Sequence, residues 1–342
     1  MSDAGPSADR DIPVLAVRDL VTAFRTPRGE FRAVDGVNLT VARGETVALV
    51  GESGSGKSVT SMSIMRLLSA PAARIVSGRI LFRGRSGLER DLAQLDARAM
   101  RALRGNEIAM IFQEPMTSLN PTGTIGTQIA EALRLHRPIT RRAAMAEAVR
   151  LLGLVEIADA ARRVESYPHQ LSGGMRQRVM IAMALACGPS LLLADEPTTA
   201  LDVTVQAQIL RLLRSLQLEL GMGVLFITHN MGVVAEIADR VSVMYGGQVI
   251  ESAPVRALFD APGHPYTRAL MASLPRMDAV PETHRRLPMI RGSVVDPRRP
   301  PPGCRFAPRC DMVLPACEAA VPGEWTIGLA HRSRCLRWQE LA

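Results

Sequence analysis

The sequence predicts an α/β fold built on buried parallel strands, and three observations carry that prediction. The first is Gly51-Glu52-Ser53-Gly54-Ser55-Gly56-Lys57-Ser58, which fits the phosphate-cradling pattern G-x-x-x-x-G-K-[S/T] at every fixed position. An apolar strand pattern, Thr46 to Val50, precedes it, and apolar residues at helical spacing (Val59, Met62, Met65, Leu68) follow it. The second is a pair of continuous apolar runs, Leu191-Leu192-Leu193-Ala194 and Val224-Leu225-Phe226-Ile227, each bounded by polar turn residues. The third is a long helical stretch from Thr124 to Ala186, with an amphipathic helix from Val205 to Leu220 between the two runs.

The other elements fall around this frame. Residues 1–12 read as a disordered tail. Alternating apolar segments from Val14 to Val17 and from Phe31 to Val41 predict an antiparallel β layer leading to the glycine loop. Gly78 to Phe82 and Ile108 to Phe112 read as further strands, the latter ending at Gln113. Arg240 to Glu251 reads as a closing strand pair with a turn at Gly246-Gly247. After Ser252 proline becomes frequent and periodicity fades. The expected organisation is a nucleotide-binding domain over 13–251, a helical subdomain inserted at about 115–186, and a loop-rich extension over 252–342. No internal repeat is visible, so one nucleotide-binding unit is expected.

Composition narrows the partners. The chain has 342 residues, 47% hydrophobic and 22% charged, which is ordinary for a globular protein. Aromatics make up only 4%, so aliphatic, methionine-containing cores are expected. The net charge is +8, but the arginines are scattered and not interleaved with aromatics. That argues against nucleic acid and for an anionic membrane face or partner loops. No apolar run reaches the roughly 18 residues of a membrane span. The polar N-terminus is not a signal peptide, so a cytosolic location is expected.

The glycine loop has a plain chemistry. Glycines let backbone N–H groups converge on phosphate oxygens, and the helix that follows turns its positive end to them. Lys57 would bridge the β- and γ-phosphates and the Ser58 hydroxyl would hold Mg²⁺. Lys57 is the only lysine, every other basic side chain being arginine. Codon bias explains the missing lysines; the survivor marks a place where a compact ammonium cannot become a planar guanidinium. Downstream, Leu191 to Ala194 ends in Asp195-Glu196-Pro197. Two carboxylates at a strand's carboxyl end suit a Mg²⁺ ligand, Asp195, and a general base for water, Glu196. The alternative for such a pair alone is a solvated turn. Leu171-Ser172-Gly173-Gly174-Met175-Arg176-Gln177-Arg178 opens an apolar helix and would make a second anion site. One nucleotide does not need both, so this site would cap the γ-phosphate of ATP held by another chain. Met175, Met180 and Met183 read as core filling, and His169 as a local structural residue.

With these residues in hand, the chain resembles the ATPase subunit of ATP-binding cassette (ABC) transporters over roughly 13–251, and Leu171 to Gln177 resembles that family's signature. The resemblance implies an ABC-type domain with a mixed central sheet, an antiparallel β layer and an inserted helical subdomain. It implies that Gln113 contacts Mg²⁺ and the attacking water, and that Ala200-Leu201-Asp202 forms a loop crossing a dimer interface. It makes His229, in Ile227-Thr228-His229-Asn230, a γ-phosphate contact. The nucleotide contacts it implies are Gly51, Ser53, Gly54, Ser55, Gly56, Lys57, Ser58 and Val59, with Ser172, Gly173, Gly174 and Asp202. Phe24 is the expected adenine-stacking residue, with Phe31 nearby. Ser58, Gln113 and Asp195 are the Mg²⁺ set.

The extension carries Cys304, Cys310, Cys317 and Cys335, spaced C-x5-C-x6-C-x17-C; Cys187 stands apart and reads as core. In a cytosolic protein such a cluster argues for metal over disulfides, with Zn²⁺ and an iron–sulfur cluster both open. Arg298, Arg299, Arg305, Arg309, Arg332 and Arg334 lie close in sequence and are expected to lower the thiol pKa values. Gly263-His264-Pro265-Tyr266-Thr267-Arg268-Ala269-Leu270 resembles a segment of oligopeptide/dipeptide/nickel transporter ATPases. That resemblance implies a structural or regulatory [4Fe-4S] cluster and packing roles for His264 and Tyr266.

The expected function is ATP hydrolysis powering an ABC importer of di- or oligopeptides at the cytoplasmic face of the membrane. The implied partners are a second ABC ATPase (a paralogue or another copy), two membrane permeases and an extracytoplasmic binding protein. Nickel, glutathione, cationic antimicrobial peptides or oligosaccharides are alternative cargoes. A soluble ABC ATPase in translation or DNA maintenance is the alternative from another class; it would carry tandem cassettes or long coiled coils. An iron–sulfur protein with a vestigial ATPase is opposed by the intact Glu196 and His229.

Overall fold

A computed structural model describes residues 12–113, 118–199, 201–273 and 290–341. Nearly all of the expected tail therefore lies outside the described residues. The chain forms two compact units. One comprises Met1–Ala16, Thr40–Thr46 and Leu81–Phe226; the other comprises Val17–Leu39, Val47–Ile80 and Ile227–Ala342. Among the described residues no helix is long and apolar enough to cross a membrane.

The first unit holds the helices predicted between Thr124 and Ala186: Ile125–His136, Arg141–Leu154, Ala160–Arg163 and Gly173–Leu185. Their starts are legible. Thr124, Thr140 and Ser172 each accept a backbone N–H three residues on, satisfying donors that a helix start leaves open. Strands Ile108–Ile111 and Leu191–Asp195 pair in parallel, from Ile108 opposite Leu191 to Ile111 opposite Ala194. All of Leu191–Asp195 is buried, as a strand covered on both faces should be. Helix Val203–Leu220 follows, packing Ile209, Leu210, Leu213 and Leu216 inward, and leads to strand Gly223–Thr228.

The second unit is built behind the glycine loop. Strand Thr46–Val50, wholly buried, pairs in parallel with Arg240–Tyr245, and that strand pairs antiparallel with Gln248–Pro254. The expected turn at Gly246-Gly247 is present, both glycines having positive φ. The extension is less loop-rich than its prolines imply. His331–Ser333 pairs with Glu251 and Ser252, and Trp325–Gly328 pairs with His331–Ser333. Short helices Val255–Asp260 and Pro265–Ala272 precede them. The sparse aromatics concentrate here. Tyr245, Tyr266 and Phe306 form a buried triangle with ring centroids 4.7 to 5.3 Å apart. Val50, Val243 and Met231 pack in the same core. Such tilted and edge-on pairs favour one arrangement beyond simple area burial.

Helix Lys57–Ile64 differs from its predicted face. Thr60, Ser61, Ser63 and Ile64 are buried, whereas Val59 and Met62 are half-buried and Leu68 lies past the helix end. The hydroxyls tolerate burial because each has a partner: Thr60 donates to Gly56 O, Ser61 to Ser58 O, and Ser63 to Val59 O while facing Thr22 Oγ1.

Candidate active site

The glycine loop leaves strand Thr46–Val50 at Gly51 and enters its helix at Lys57. Gly51 and Gly56 are required by space and by conformation. A Cβ on Gly51 (φ 155°) would lie 2.1 Å from Met244 O, and one on Gly56 (φ 103°) 2.5 Å from Ala33 O. Both positions are closed to any other residue. Lys57 is 6% exposed, and its Nζ donates to Gly51 O at 2.8 Å and Glu52 O at 2.9 Å. The ammonium is thereby pinned within the arch of the loop. Ser53 and Gly54 are exposed at its tip, Ser55 is buried, and Ser58 and Val59 are half-buried. A closed backbone arch, a helix start and a pinned cation fit a phosphate group.

In the same unit, His229 follows its strand and is exposed. Asn230 then caps helix Met231–Ile237, its Oδ1 accepting from Gly232 N and Val233 N. His229 is thus held between a strand end and a capped helix. Phe24 stacks on Phe31 with centroids 5.7 Å apart and planes 14° apart. Of the two, Phe31 lines an open pocket with Thr26, Arg28, Asp296 and Arg298.

In the other unit the parallel register does the positioning. Ile111 lies opposite Ala194, so Gln113 and Glu196, each two residues further on, emerge at the same level. Gln113 Nε2 donates to Glu196 Oε2 at 3.1 Å, and Thr199 Oγ1 donates to the same oxygen at 2.9 Å. Glu196 has φ 48°, a left-handed conformation that costs a side-chain-bearing residue and concentrates at functional positions. Asp195, one residue earlier, is buried at 4% exposure. Thr199 was not among the expected residues; its place in the turn after Asp195-Glu196-Pro197 was the available signal.

The signature segment starts its helix as expected. Ser172 Oγ accepts from Met175 N, and Ser172 and Gly173 are exposed. The two glycines differ. A Cβ on Gly174 would strike Val205 Cγ1 at 2.7 Å, whereas one on Gly173 would meet Leu201 only at 3.9 Å. Gly174 therefore serves packing against helix Val203–Leu220. Asp202 caps that helix, Oδ1 accepting from Val205 N at 2.9 Å. His169 stacks on Tyr167, Met180 is buried, and Met175 and Met183 are half-buried.

Residues 34–199 match the family model described as ABC transporter, and 250–317 match the oligopeptide/dipeptide transporter C-terminal region. A putative peptide import ATP-binding protein of Brucella melitensis is 58% identical over 333 residues, covering 96% of this chain and 98% of that one. The chain belongs to the ABC transporter family, as an ATP-hydrolysing subunit. Another relative, a probable peptide ABC transporter ATP-binding protein of Sinorhizobium fredii, is 52% identical over 338 residues, covering 99% of this chain and 98% of that one. Among solved structures, a dimeric post-hydrolysis ATP-binding cassette with ADP and phosphate aligns at TM-score 0.62 and 28% identity. It covers 71% of this chain and 99% of the other. The cbiO1 subunit of Clostridium perfringens, part of an ABC transporter complex, aligns at 0.58 and 27%, over 72% and 91%.

The four extension cysteines of this ABC ATPase line one small cavity, of about 20 Å³, with His264, Phe306 and Arg337. A space of that size holds about one water molecule. Backbone N–H groups of Met312 and Arg337 reach Cys310 Sγ and Cys335 Sγ, each at 3.4 Å. Yet among the described residues no three Cys, His, Asp or Glu side chains are grouped to hold a metal ion. The cavity does not fit a four-iron cluster as the thiols stand. The expected lowering of thiol pKa is also reversed. Burial raises Cys304 and Cys310, and raises Cys335 to about 11. The neighbouring arginines are spent elsewhere: Arg298 on Asp296, Arg305 on Asp35, Arg309 on Glu52 and Arg332 on Glu324. Cys187 is buried, as expected.

Proposed function

We propose that the chain hydrolyses ATP to power an importer of di- or oligopeptides, working at the cytoplasmic face of the membrane. The observation that carries the catalytic reading is the Gln113–Glu196–Thr199 cluster. A carboxylate aimed by two hydrogen bonds from a strained turn is suited to polarise water. Glu196 is the general base, and His229 and Gln113 contact the γ-phosphate and the attacking water. Lys57 binds the β- and γ-phosphates, with Gly51, Ser53 to Gly56, Ser58 and Val59 as the remaining contacts. Ser58, Gln113 and Asp195 would hold Mg²⁺, which neutralises phosphate charge when bound. The Phe24–Phe31 pair is the adenine platform.

Exposed Ser172 and Gly173 at a helix start support a shared site, in which this chain's signature completes the ATP site of a second ABC ATPase and Asp202 lies at their interface. Two permeases and an extracytoplasmic binding protein complete the assembly. The peptide cargo rests on relatives more than half identical over nearly the whole chain, and on the matched C-terminal region. Domain limits of 13–251, with a helical insertion at about 115–186 and an extension at 252–342, belong to the same reading. A [4Fe-4S] cluster at Cys304, Cys310, Cys317 and Cys335, with Zn²⁺ as the alternative, is supported by four thiols on one cavity. Binding either requires that cavity to open. Iron, sulfide and zinc analysis of anaerobically purified protein decides between them.

The function is tested by purifying the assembly with its binding protein and measuring ATP turnover against candidate solutes. Di- and oligopeptides should stimulate it. Stimulation by nickel alone would replace the cargo, and full activity of the dilute isolated chain would remove the shared site.

A further inference from the structure

Of two arginines beside the cysteines, one holds the phosphate loop directly and the other holds the turn that bonds to it. Arg309 precedes Cys310, and its side chain is 4% exposed. Its guanidinium grips Glu52 of the loop with both arms: Nη1 to Oε2 at 2.7 Å and Nη2 to Oε1 at 3.1 Å. Nη1 also donates to Tyr245 Oη at 3.2 Å, and Nε to Arg291 O at 2.8 Å. The backbone of the same loop residue is held too, Glu52 N donating to Tyr266 Oη at 2.9 Å. The first half of the loop is therefore fixed through both the carboxylate and the main chain of Glu52.

The second half has its own strut. Arg305, which follows Cys304, donates to Gly246 O and to Asp35. Gly247, next in the turn, donates its N–H to Ser55 O at 2.8 Å and accepts from Asp35 N at 2.8 Å. Both struts originate in the segment 304–310, and all these residues lie in one compact unit.

We propose that Arg309 and Tyr266, seconded by Arg305, are positioning residues for ATP binding, so that the C-terminal extension sets the nucleotide affinity of the phosphate loop. A bidentate arginine–carboxylate pair fixes geometry as well as charge, and lysine cannot reproduce it. The loop must present its N–H groups in one conformation to bind phosphate. If only a fraction of molecules holds that conformation, the apparent dissociation constant rises by the inverse of the fraction. The proposal rests on the loop being the ATP site and adds what holds it ready.

The test is MgATP binding to the full-length chain by calorimetry. Arg309→Gln and Glu52→Gln should each weaken binding about tenfold, as if about a tenth of the loops remained competent. The double variant should be no weaker than either single one, because both break one contact. Arg309→Lys should fall between wild type and Arg309→Gln. In the assembled transporter the KM for ATP should rise while kcat at saturating ATP stays within about twofold, a split that general loss of stability would not give. Unchanged affinity in both single variants, or additive losses in the double, overturns the proposal. Should Arg309→Gln fail to fold, Glu52→Gln and Tyr266→Phe still decide it: unchanged affinity in both overturns it. Lys57→Ala separates the two readings. If it still binds MgATP, the loop is not the ATP site; if it loses binding while the clamp variants do not, only the clamp fails.

Discussion

The cluster at Glu196 and the clamp at Glu52 use the same groups to opposite ends. Glu196 is half-buried, takes an amide and a hydroxyl on one oxygen, and sits on a turn in a left-handed conformation. Glu52 has both oxygens taken by one guanidinium, and its own N–H by a buried tyrosine. The first arrangement aims one oxygen of its carboxylate; the second fixes the whole group in one geometry. Arg309 shows the same pairing, its pKa being raised chiefly by its bond to Glu52.

The largest expected effect breaks the reactive side. Glu196→Gln keeps a side chain that can bond Gln113 and Thr199 but cannot take a proton. Turnover should fall at least about 100-fold, within the usual range for a general base, while MgATP binding persists. Turnover within a few-fold of wild type would remove Glu196 as the base.

Next is a buried carboxylate held through one oxygen, its Oε2 having no hydrogen-bond partner among the described residues. Glu251 is fully buried, and its Oε1 meets His331 Nε2 at 2.8 Å and Gly263 N at 2.5 Å. His331→Ala leaves that group without its side-chain partner and should cost about 3 kcal/mol in denaturant unfolding. A loss below about 1 kcal/mol would show that this strand pair carries no such dependence.

A smaller effect is expected from His264. Its ring is completely buried, its Nδ1 accepts from Tyr266 N, and burial lowers its pKa to about 3. The unfolded chain therefore takes up a proton near pH 6.5 that the folded chain refuses until about pH 3. Stability should be complete above pH 6.5 and fall on acidification, at up to about 1.4 kcal/mol per pH unit. His264→Asn keeps a capping acceptor and removes the titration, so the slope between pH 6 and 4, read from urea midpoints at each pH, should flatten by about that amount. An unchanged slope would assign the acid sensitivity to other groups.

How much of this could be read in the sequence depends on how local each feature is. The glycine loop and the helix start at Ser172 were legible because their partners lie within a few residues. Gln113 and Glu196 were each singled out, but their contact, 83 residues apart, was not read; it follows from the parallel pairing of the two strands they leave. The Arg309–Glu52 clamp spans 257 residues, and no periodicity encodes it. The arginines around the cysteines were read as partners of the thiols because sequence shows only neighbours along the chain. In space Arg305 and Arg309 face Asp35, Gly246 and Glu52, and burial raises the pKa of Cys304, Cys310 and Cys335 instead. The helix after the loop misled for a related reason. Apolar spacing pointed Val59 and Met62 inward, but hydroxyls that bond one turn back are buried at little cost, so Thr60, Ser61 and Ser63 face the core.

The smallest effect concerns Asp202, which belongs to both kinds of carboxylate. The resemblance gives it to a loop that meets a partner chain, and the structure gives its Oδ1 to Val205 N at the start of an 18-residue helix. Asp202→Ala removes the cap and should cost about 1 kcal/mol. Asp202→Asn caps equally well and should leave the urea midpoint unchanged. Comparing the two separates the roles. Turnover lost in the assembled ATPase by Asp202→Asn, with stability intact, would come from the carboxylate acting beyond its own helix. If Asp202→Asn turns over normally and only Asp202→Ala is impaired, in step with its lost stability, then Asp202 is a cap and the partner contact must be made by another residue of the loop.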